Sequence, residues 1–193
     1  MPRVKLFNEE DILQKAIELF WKQGYSATSM QNLVDYLGIN RASLYNTFGG
    51  KKELFEKAFK AYKEVNTKTI IEFLDNQTSV KEGLLNFFEL PINASIHNGE
   101  ARGCFIVNTT TELALEDAEI NSILIENKKN LEKLFFNFLK KGISDGQLNS
   151  DKNIKSIAAF LFMLLNGIMV VAKVNPNKKY LLSIVRTSLE ILD

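Results

Sequence analysis

The amino-acid sequence predicts an all-α protein with about nine helices. Only three prolines interrupt its 193 residues, and so few helix breakers over such a length favour long helices. No stretch keeps the two-residue alternation of apolar and polar side chains that marks a half-buried strand. Hydrophobic residues make up 46% and charged residues 24% of the chain, which is typical of a globular protein and not of a disordered one.

Capping residues locate the first two helices. The first helix is expected to begin after Asn8, because asparagine is a good N-cap and the three acidic residues that follow suit the positive end of the helix dipole. Gly24 is expected to end it. A second, short helix is expected to start near Thr28, which has the capping-box spacing to Gln31, and to end at Gly38.

Two further helices complete the N-terminal third. The third helix is predicted over residues 41–48, with Asn40 as its N-cap and the pair Gly49-Gly50 ending it. A fourth and longer helix is predicted over residues 51–74. Its apolar residues recur every three or four positions, so one face of this helix should be buried.

Five more helices are expected in the second half. Ser79 and Glu82 have capping-box spacing, and the helix they open should be kinked or split at Pro91. Ser150 or Asp151 is expected to cap the most apolar helix. The five helices are predicted over residues 79–96, 104–115, 117–143, 151–174 and 178–192.

Residues 24–55 predict a helix-turn-helix, since two short helices are joined by a turn at Gly38. In this motif the first helix braces the second, which can then enter the DNA major groove, a cleft about 12 Å wide. Residues 1–63 hold ten Lys/Arg against seven Asp/Glu, whereas the remainder is net acidic. A basic N-terminal third suits a surface that binds phosphates.

Several short groups of residues in this stretch stand at mutually consistent spacings. These groups are Gly24-Tyr25, Thr28-Ser29-Met30, Leu37-Gly38-Ile39, Ser43-Leu44-Tyr45, Phe48, Lys51 and Glu53-Leu54-Phe55. Together they resemble the TetR/AcrR family of transcriptional regulators, closely over the first 60 residues and loosely beyond. The resemblance implies a three-helix DNA-binding domain over residues 1–50, followed by a larger helical ligand-binding and dimerisation domain over residues 51–193.

The resemblance implies DNA contacts for eight residues. Arg41 opens the third helix and is the best candidate for a guanine contact through O6 and N7. Thr28 would offer its hydroxyl to a phosphate, and Tyr45 and Lys51 match phosphate-contacting positions of the family. The full set is Thr28, Arg41, Ala42, Ser43, Tyr45, Asn46, Thr47 and Lys51.

Dimerisation is expected because one helix-turn-helix reads too few bases for a genomic site. Such modules act in symmetric pairs on pseudo-palindromic double-stranded DNA. Residues 157–172 are apolar nearly all round, so one face can pack inward and another against a partner. In the resembled family the last two helices form the homodimer interface. The alternative is a monomer that buries both helices within itself.

An effector pocket is expected, by resemblance, in the middle of the chain. Polar residues on mostly apolar helices are the sharper clue, because a buried polar group needs a partner and a small-molecule ligand can supply one. Phenylalanines at helical spacing also fit a plain core. The candidates are Phe73, Phe88, Ile92, Cys104, Phe105, Asn108, Thr109, Glu112, Phe138, Phe162 and Asn166.

Cys104 carries a separate hypothesis. It is predicted at the start of a helix and close to Arg102, where the helix dipole and a cation favour the thiolate. The regulator would then sense an electrophile or an oxidant. The alternative is that Cys104 is a small buried apolar residue.

Composition argues against several other classes of protein. A single cysteine excludes an intramolecular disulfide and favours a reducing compartment, here the cytoplasm. With His97 as the one histidine, the common zinc sites cannot form within one chain. Neither a nucleophile–base pair nor a glycine-rich phosphate loop is evident. We therefore expect no enzyme activity, no cofactor and no metal.

The chain could instead be a helical interaction module that has lost DNA binding, but Arg41, Tyr45 and Lys51 argue against it. A membrane protein is not expected either. The most apolar stretch, residues 157–172, falls short of the roughly 20 residues that a spanning helix needs.

Overall fold

The computed structural model describes residues 7–97 and 102–193. These residues form nine α-helices and a final 3₁₀ turn, and none of them lies in a strand, so the predicted all-α class is confirmed. The helices are α1 (Glu9–Gln23), α2 (Met30–Leu37), α3 (Arg41–Phe48), α4 (Lys51–Asp75), α5 (Val80–His97), α6 (Phe105–Leu113), α7 (Ala118–Ser144), α8 (Ile154–Val174) and α9 (Lys178–Leu189).

The start of α2 differs from the prediction by one residue. Ser29, not Thr28, is the N-cap, and its partner is Asn32, not Gln31. The Ser29 hydroxyl accepts from the Asn32 amide at 3.0 Å, and the Asn32 side chain accepts from the Ser29 amide at 2.9 Å. The Thr28 hydroxyl instead donates to the Gly24 carbonyl at 2.6 Å, which closes the turn after α1.

Two features of the second half also differ. Helix α5 runs through Pro91 as one element, so the helix is not split there, and a kink at Pro91 stays a prediction. It packs against α8 and α9 along its length, and this packing can offset the hydrogen bond that proline cannot donate. The cap of α8 is Asn153 in place of Ser150 or Asp151, since its side chain accepts from the Ser156 amide at 3.1 Å.

The described helices pack around two apolar cores. Helices α1 to α4 form the first core, which also receives Phe105 and Leu113 of α6 and Ile120 of α7. Helices α5, α7, α8 and α9 form the second. Helix α4 contributes Phe55 and Phe59 to the first core and Leu74 to the second. It therefore joins helices α1 to α3, which we call the DNA-binding third after the domain that the sequence predicts there, to the rest of the chain. The domain boundary at residue 50 stays a prediction.

Candidate nucleic-acid interface and ligand cavity

The turn between α2 and α3 depends on Gly38. Its φ of 69° lies in the left-handed region, which glycine enters without steric cost. Leu37 and Ile39 on either side are buried in the first core. The turn is thus anchored by its apolar neighbours, and it holds α2 and α3 as a helix-turn-helix.

Helix α3, the recognition helix, has a buried and an exposed side. Asn40 caps it by accepting from the Ser43 amide at 2.8 Å. Leu44 and Phe48 are buried as predicted. The remaining side carries most of the expected DNA contacts. Arg41, Ala42, Tyr45 and Asn46 are exposed there, and Ser43 and Thr47 are partly exposed.

Thr28 does not share this surface. Its side chain is 0% exposed, and its hydroxyl is committed to the Gly24 carbonyl. A fully buried side chain cannot meet a phosphate, so the expected DNA contact of Thr28 is wrong. The exposed hydroxyl at the start of α2 belongs to Ser29.

Lys51 begins α4 beside the recognition helix. Its ammonium lies 4.2 Å from the centroid of the Tyr25 ring, a cation–π contact, and partial burial lowers its pKa. The neighbouring Lys52 is paired with Asp117 at 2.9 Å. Lys51 is therefore the better placed of the two for a phosphate, and that contact stays a prediction.

Helix α6 connects the DNA-binding third to the remainder of the chain. One Glu112 carboxylate oxygen accepts from the Tyr25 amide at 3.0 Å, and the other accepts from the Ser26 amide at 2.7 Å. Just before α6, the Gly103 carbonyl accepts from the Trp21 indole at 3.2 Å. These hydrogen bonds hold the end of α1 and the loop after it against α6.

A cavity of about 900 Å³ borders α6 at Ile106, Val107 and Thr110. Its walls come from α4, α5, α6, α7 and α8, and Trp21 of α1 reaches it as well. This volume is in the range of small-molecule sites. Four of the eleven expected pocket residues border it: Phe73, Cys104, Phe162 and Asn166.

The other seven do not border this cavity, so their expected role in effector binding stays a prediction. Phe88, Ile92 and Phe138 are buried in the second core, and Phe105 is buried in the first. Helical spacing of apolar residues marks the buried side of a helix, but it does not distinguish core from cavity wall. The remaining three are polar residues of α6, namely Asn108, Thr109 and Glu112.

Contacts within the protein explain why these three polar residues of α6, Asn108, Thr109 and Glu112, lie away from the main cavity. Thr109 is buried, and Glu112 binds the α1–α2 loop. The Asn108 amide donates to the Arg102 carbonyl at 2.8 Å and accepts from Lys173 at 3.1 Å. Asn108 and Glu112 border a smaller cleft of about 520 Å³ instead.

Asparagines supply much of the polar wall of the main cavity, and all but Asn166 were missed. The clue that selected Asn166, a polar residue on an apolar helix face, applies equally to Asn127. It continues the buried stripe of α7 between Leu124 and Leu131. The cavity-bordering asparagines are Asn66, Asn93, Asn121, Asn127, Asn130 and Asn166.

Cys104 has the position but not the acidity that sensing by a thiolate requires. It is the N-cap of α6, and backbone N–H groups there do favour the anion. Burial outweighs them and raises the pKa of the thiol. Burial and the contact with Cys104 raise the pKa of Tyr62 as well. Burial therefore disfavours the expected thiolate, and the sensor hypothesis stays a prediction that thiol reactivity can test.

Cys104 is expected to alkylate slowly. With iodoacetamide at pH 8, the folded protein should react at least about tenfold more slowly than a free thiol, because burial disfavours the reactive thiolate. Mass spectrometry of the alkylated fraction over time measures this rate. The urea-unfolded chain is the control and should react at the free-thiol rate. A folded-state rate equal to the control would support the electrophile-sensor hypothesis.

Helices α8 and α9 leave apolar side chains uncovered. Among the described residues, α8 is the one helix long and apolar enough to cross a membrane by length and composition, a test that core helices of soluble proteins also pass. Its Met163, Gly167, Val170 and Val174 are exposed at helical spacing. Tyr180 and Ile184 of α9 and Ile191 just beyond it are exposed as well. We call these seven residues of the two helices and their end the α8–α9 face.

Metal ligands do not cluster in the part of the chain described. Within residues 7–97 and 102–193, no group of three or more His, Cys, Asp and Glu side chains could hold a metal ion. The candidate functional sites in this part of the chain are the outer side of the recognition helix, the main cavity and the α8–α9 face.

Two family models match the chain. Residues 12–58 match the model described as bacterial regulatory proteins, tetR family. Residues 80–187 match the tetracyclin repressor-like C-terminal domain. The first range contains the helix-turn-helix, and the second contains most of the cavity walls and the α8–α9 face.

Individual proteins resemble the chain over its whole length. The uncharacterized HTH-type transcriptional regulator YezE of Bacillus subtilis is 35% identical over 194 residues, covering 100% of both chains. The HTH-type transcriptional repressor ComR of Escherichia coli is 27% identical, covering 98% of this chain and 90% of its own. A cysteine mutant of the TetR family regulator CifR, solved with 26-bp double-strand operator DNA, superposes with a TM-score of 0.89 at 27% identity, covering 99% and 100%.

Proposed function

The chain belongs to the TetR family of bacterial regulatory proteins, and from this premise we propose that it is a transcriptional repressor. A homodimer binds a pseudo-palindromic operator in double-stranded DNA. A small molecule that occupies the main cavity releases it. The protein acts where the DNA is, in the cytoplasm, and has no catalytic role.

The exposed side of the recognition helix is the observation that carries this proposal. Leu44 and Phe48 fix the helix to the first core, and Asn40 fixes its N-terminus. The side turned to solvent carries Arg41 and Tyr45, which are suited to base edges and phosphates respectively. A helix held rigidly by one side and polar on the other can enter the major groove as a unit.

The regulated step rests on the two faces of α6. Ile106, Val107 and Thr110 border the cavity, whereas Phe105 and Glu112 contact the DNA-binding third. A ligand that displaces α6 would therefore move the cavity wall and the contacts with the DNA-binding third together. In a dimer, such movement alters the separation of the two recognition helices and favours a state that no longer matches adjacent major grooves.

A gel-shift series tests the proposal. Fragments of genomic DNA upstream of and around the coding gene are titrated with protein at low and high salt. Specific retardation of one fragment is expected, with an affinity that falls steeply as salt rises, because binding releases counterions from phosphates. Equal retardation of every fragment would contradict an operator-binding repressor.

Two substitutions on this surface should separate base reading from phosphate contact. Arg41→Ala should cost about 1–3 kcal/mol on the operator and relax specificity at about one base pair, since a bidentate guanine contact is lost. Lys51→Ala should weaken binding to all sequences alike and reduce the salt slope by about one. Fluorescence anisotropy with operator and scrambled duplexes measures both effects.

The matched control is Lys60→Ala, which removes an exposed lysine of the same helix α4. Lys60→Ala should bind DNA as tightly as the unmodified protein if the position of a lysine, and not the overall charge of the protein, determines affinity. Loss of affinity equal to that of Lys51→Ala would mean that Lys51 contributes only to the general field. Unchanged sequence specificity in Arg41→Ala would contradict the predicted contact between Arg41 and guanine.

A further inference from the structure

Asn127 is a buried amide without a hydrogen-bond partner among residues 7–97 and 102–193. It is 9% exposed and lies in the apolar stripe of α7 between Leu124 and Leu131. No side chain or backbone group among the described residues hydrogen bonds to its amide. Every fully enclosed side-chain N or O in that part of the chain does have a partner, so the Asn127 amide must open onto the cavity that it borders.

Such an amide is unfavourable for folding alone. Polar groups removed from bulk water cost free energy unless they form hydrogen bonds, and an apolar residue of the same shape would avoid that cost. The amides of Asn93 and Asn130 differ, because they already bond Glu89 and Glu126. Among the described asparagines that border the cavity, Asn127 is the one that is buried, and its amide is free to bind a ligand.

The charge of the cavity wall restricts what that ligand can be. Among the described lining residues there is no carboxylate, and the cations are Arg102 and Lys128. Lys128 pairs with Glu132 at 2.7 Å and its side chain is about half exposed, so it lies at the rim. Arg102 lies just before α6 and borders the smaller cleft as well. The buried stripe of α7 that holds Asn127 is otherwise apolar, and a charged group placed against it would be desolvated without compensation.

We propose that the effector is an uncharged, hydrocarbon-rich molecule with a carbonyl or hydroxyl oxygen that forms a hydrogen bond with the Asn127 amide. The chemical class of the ligand is inferred from the cavity alone. Its role as the release signal rests on the proposed repressor function. The cavity of about 900 Å³ accommodates a molecule of drug-like size.

Trp21 provides the measurement, because it is the one tryptophan of the sequence and it borders the cavity. The full-length protein is titrated with decan-2-one, sodium decanoate and decyltrimethylammonium bromide, all below micelle formation. These probes share a ten-carbon chain and differ in charge. The ketone should quench the indole fluorescence saturably, at least about tenfold more tightly than either ion. Equal affinities for ketone and ammonium, or no saturable ketone binding, would overturn the proposal.

Asn127→Leu tests the hydrogen bond. This variant should bind decan-2-one at least about tenfold more weakly. The control Asn137→Leu, at an exposed asparagine of the same helix that does not border the cavity, should stay within about twofold. The melting temperature of ligand-free Asn127→Leu should be unchanged or raised, because no native hydrogen bond is lost. Unchanged ketone affinity, or a melting temperature lowered by more than about 4 °C, would show that the amide serves the fold and not a ligand.

A gel shift with the ketone-loaded protein separates this proposal from the repressor function. Ketone binding that depends on Asn127 supports the site even when the DNA complex persists, and persistence then counts against ligand-controlled release. Failure of the ligand-free protein to bind any operator counts against the repressor alone. Failure of ketone binding in a protein that binds its operator counts against the effector class alone.

Discussion

Phe105→Ala is expected to lower the free energy of unfolding by about 3–5 kcal/mol, the range for removal of a buried phenylalanine. The ring is buried and lies among aromatic residues of α1 and α4. Its centroid is 5.6 Å from that of Phe59, 5.4 Å from that of Tyr62 and 6.3 Å from that of Trp21. Edge-to-face and stacked pairs of this kind add to the simple burial of area.

The effect should extend beyond stability, because Phe105 is the largest of the side chains, with Ile106 and Leu113, that α6 contributes to the first core. Its removal leaves the Glu112 and Gly103 hydrogen bonds as the main links of α6 to the end of α1. The DNA-binding third should then unfold before the remainder. Calorimetry should show two transitions, the first lowered by about 10 °C.

Phe138→Ala is the matched control. Phe138 is equally apolar and buried, but it belongs to the second core. Its loss should destabilise the protein by a similar amount without separating the DNA-binding third. A single transition in Phe105→Ala, shifted no more than in Phe138→Ala, would show that α6 does not couple the two cores through this ring.

The N-terminal third could be predicted because its signals are local. Asn8, Asn40, Gly24 and Gly38 act on residues one to four positions away, and each caps or ends a helix where expected. The error at Thr28 has the same local origin. Thr28 and Ser29 are adjacent hydroxyl residues, and the choice between them depends on which one the turn after α1 buries.

The cavity could be predicted only in part, because it depends on how distant helices fit together. Phe73 and Phe138 occupy similar positions in their helical patterns, but the first borders the cavity and the second is core. A polar residue inside an apolar stripe carries more information. It identified Asn166 and would have identified Asn127. At Glu112 the same signal marks a contact between helices, so its meaning depends on the partner.

The position of α6 explains why a polar residue on an apolar helix can either border the cavity or bind another helix. It is short, and it has the cavity on one side and the α1–α2 loop on the other. Its polar residues must therefore satisfy backbone groups of the DNA-binding third, while its apolar residues shape the ligand space. Sequence periodicity distinguishes buried from exposed positions, but not one buried environment from another.

Val170→Asp is expected to abolish dimerisation and to reduce operator affinity by at least about a hundredfold. Val170 is 48% exposed within one chain and lies at the centre of the α8–α9 face, next to Gly167. A carboxylate there would be buried against an apolar partner surface without compensation, which costs several kcal/mol. A monomer presents one recognition helix and loses the second half-site.

Val65→Asp makes the comparison decisive, since it introduces the same change at a valine that is 63% exposed on α4. Analytical ultracentrifugation should find this variant dimeric and Val170→Asp monomeric at the same concentration. Circular dichroism should show both folded, because neither side chain belongs to a core. The α8–α9 face is not the interface if Val170→Asp stays dimeric, and a monomeric Val170→Asp with undiminished operator affinity would mean that one recognition helix suffices. Only the joint loss of dimer and affinity agrees with two copies of α3 held at the spacing of one operator.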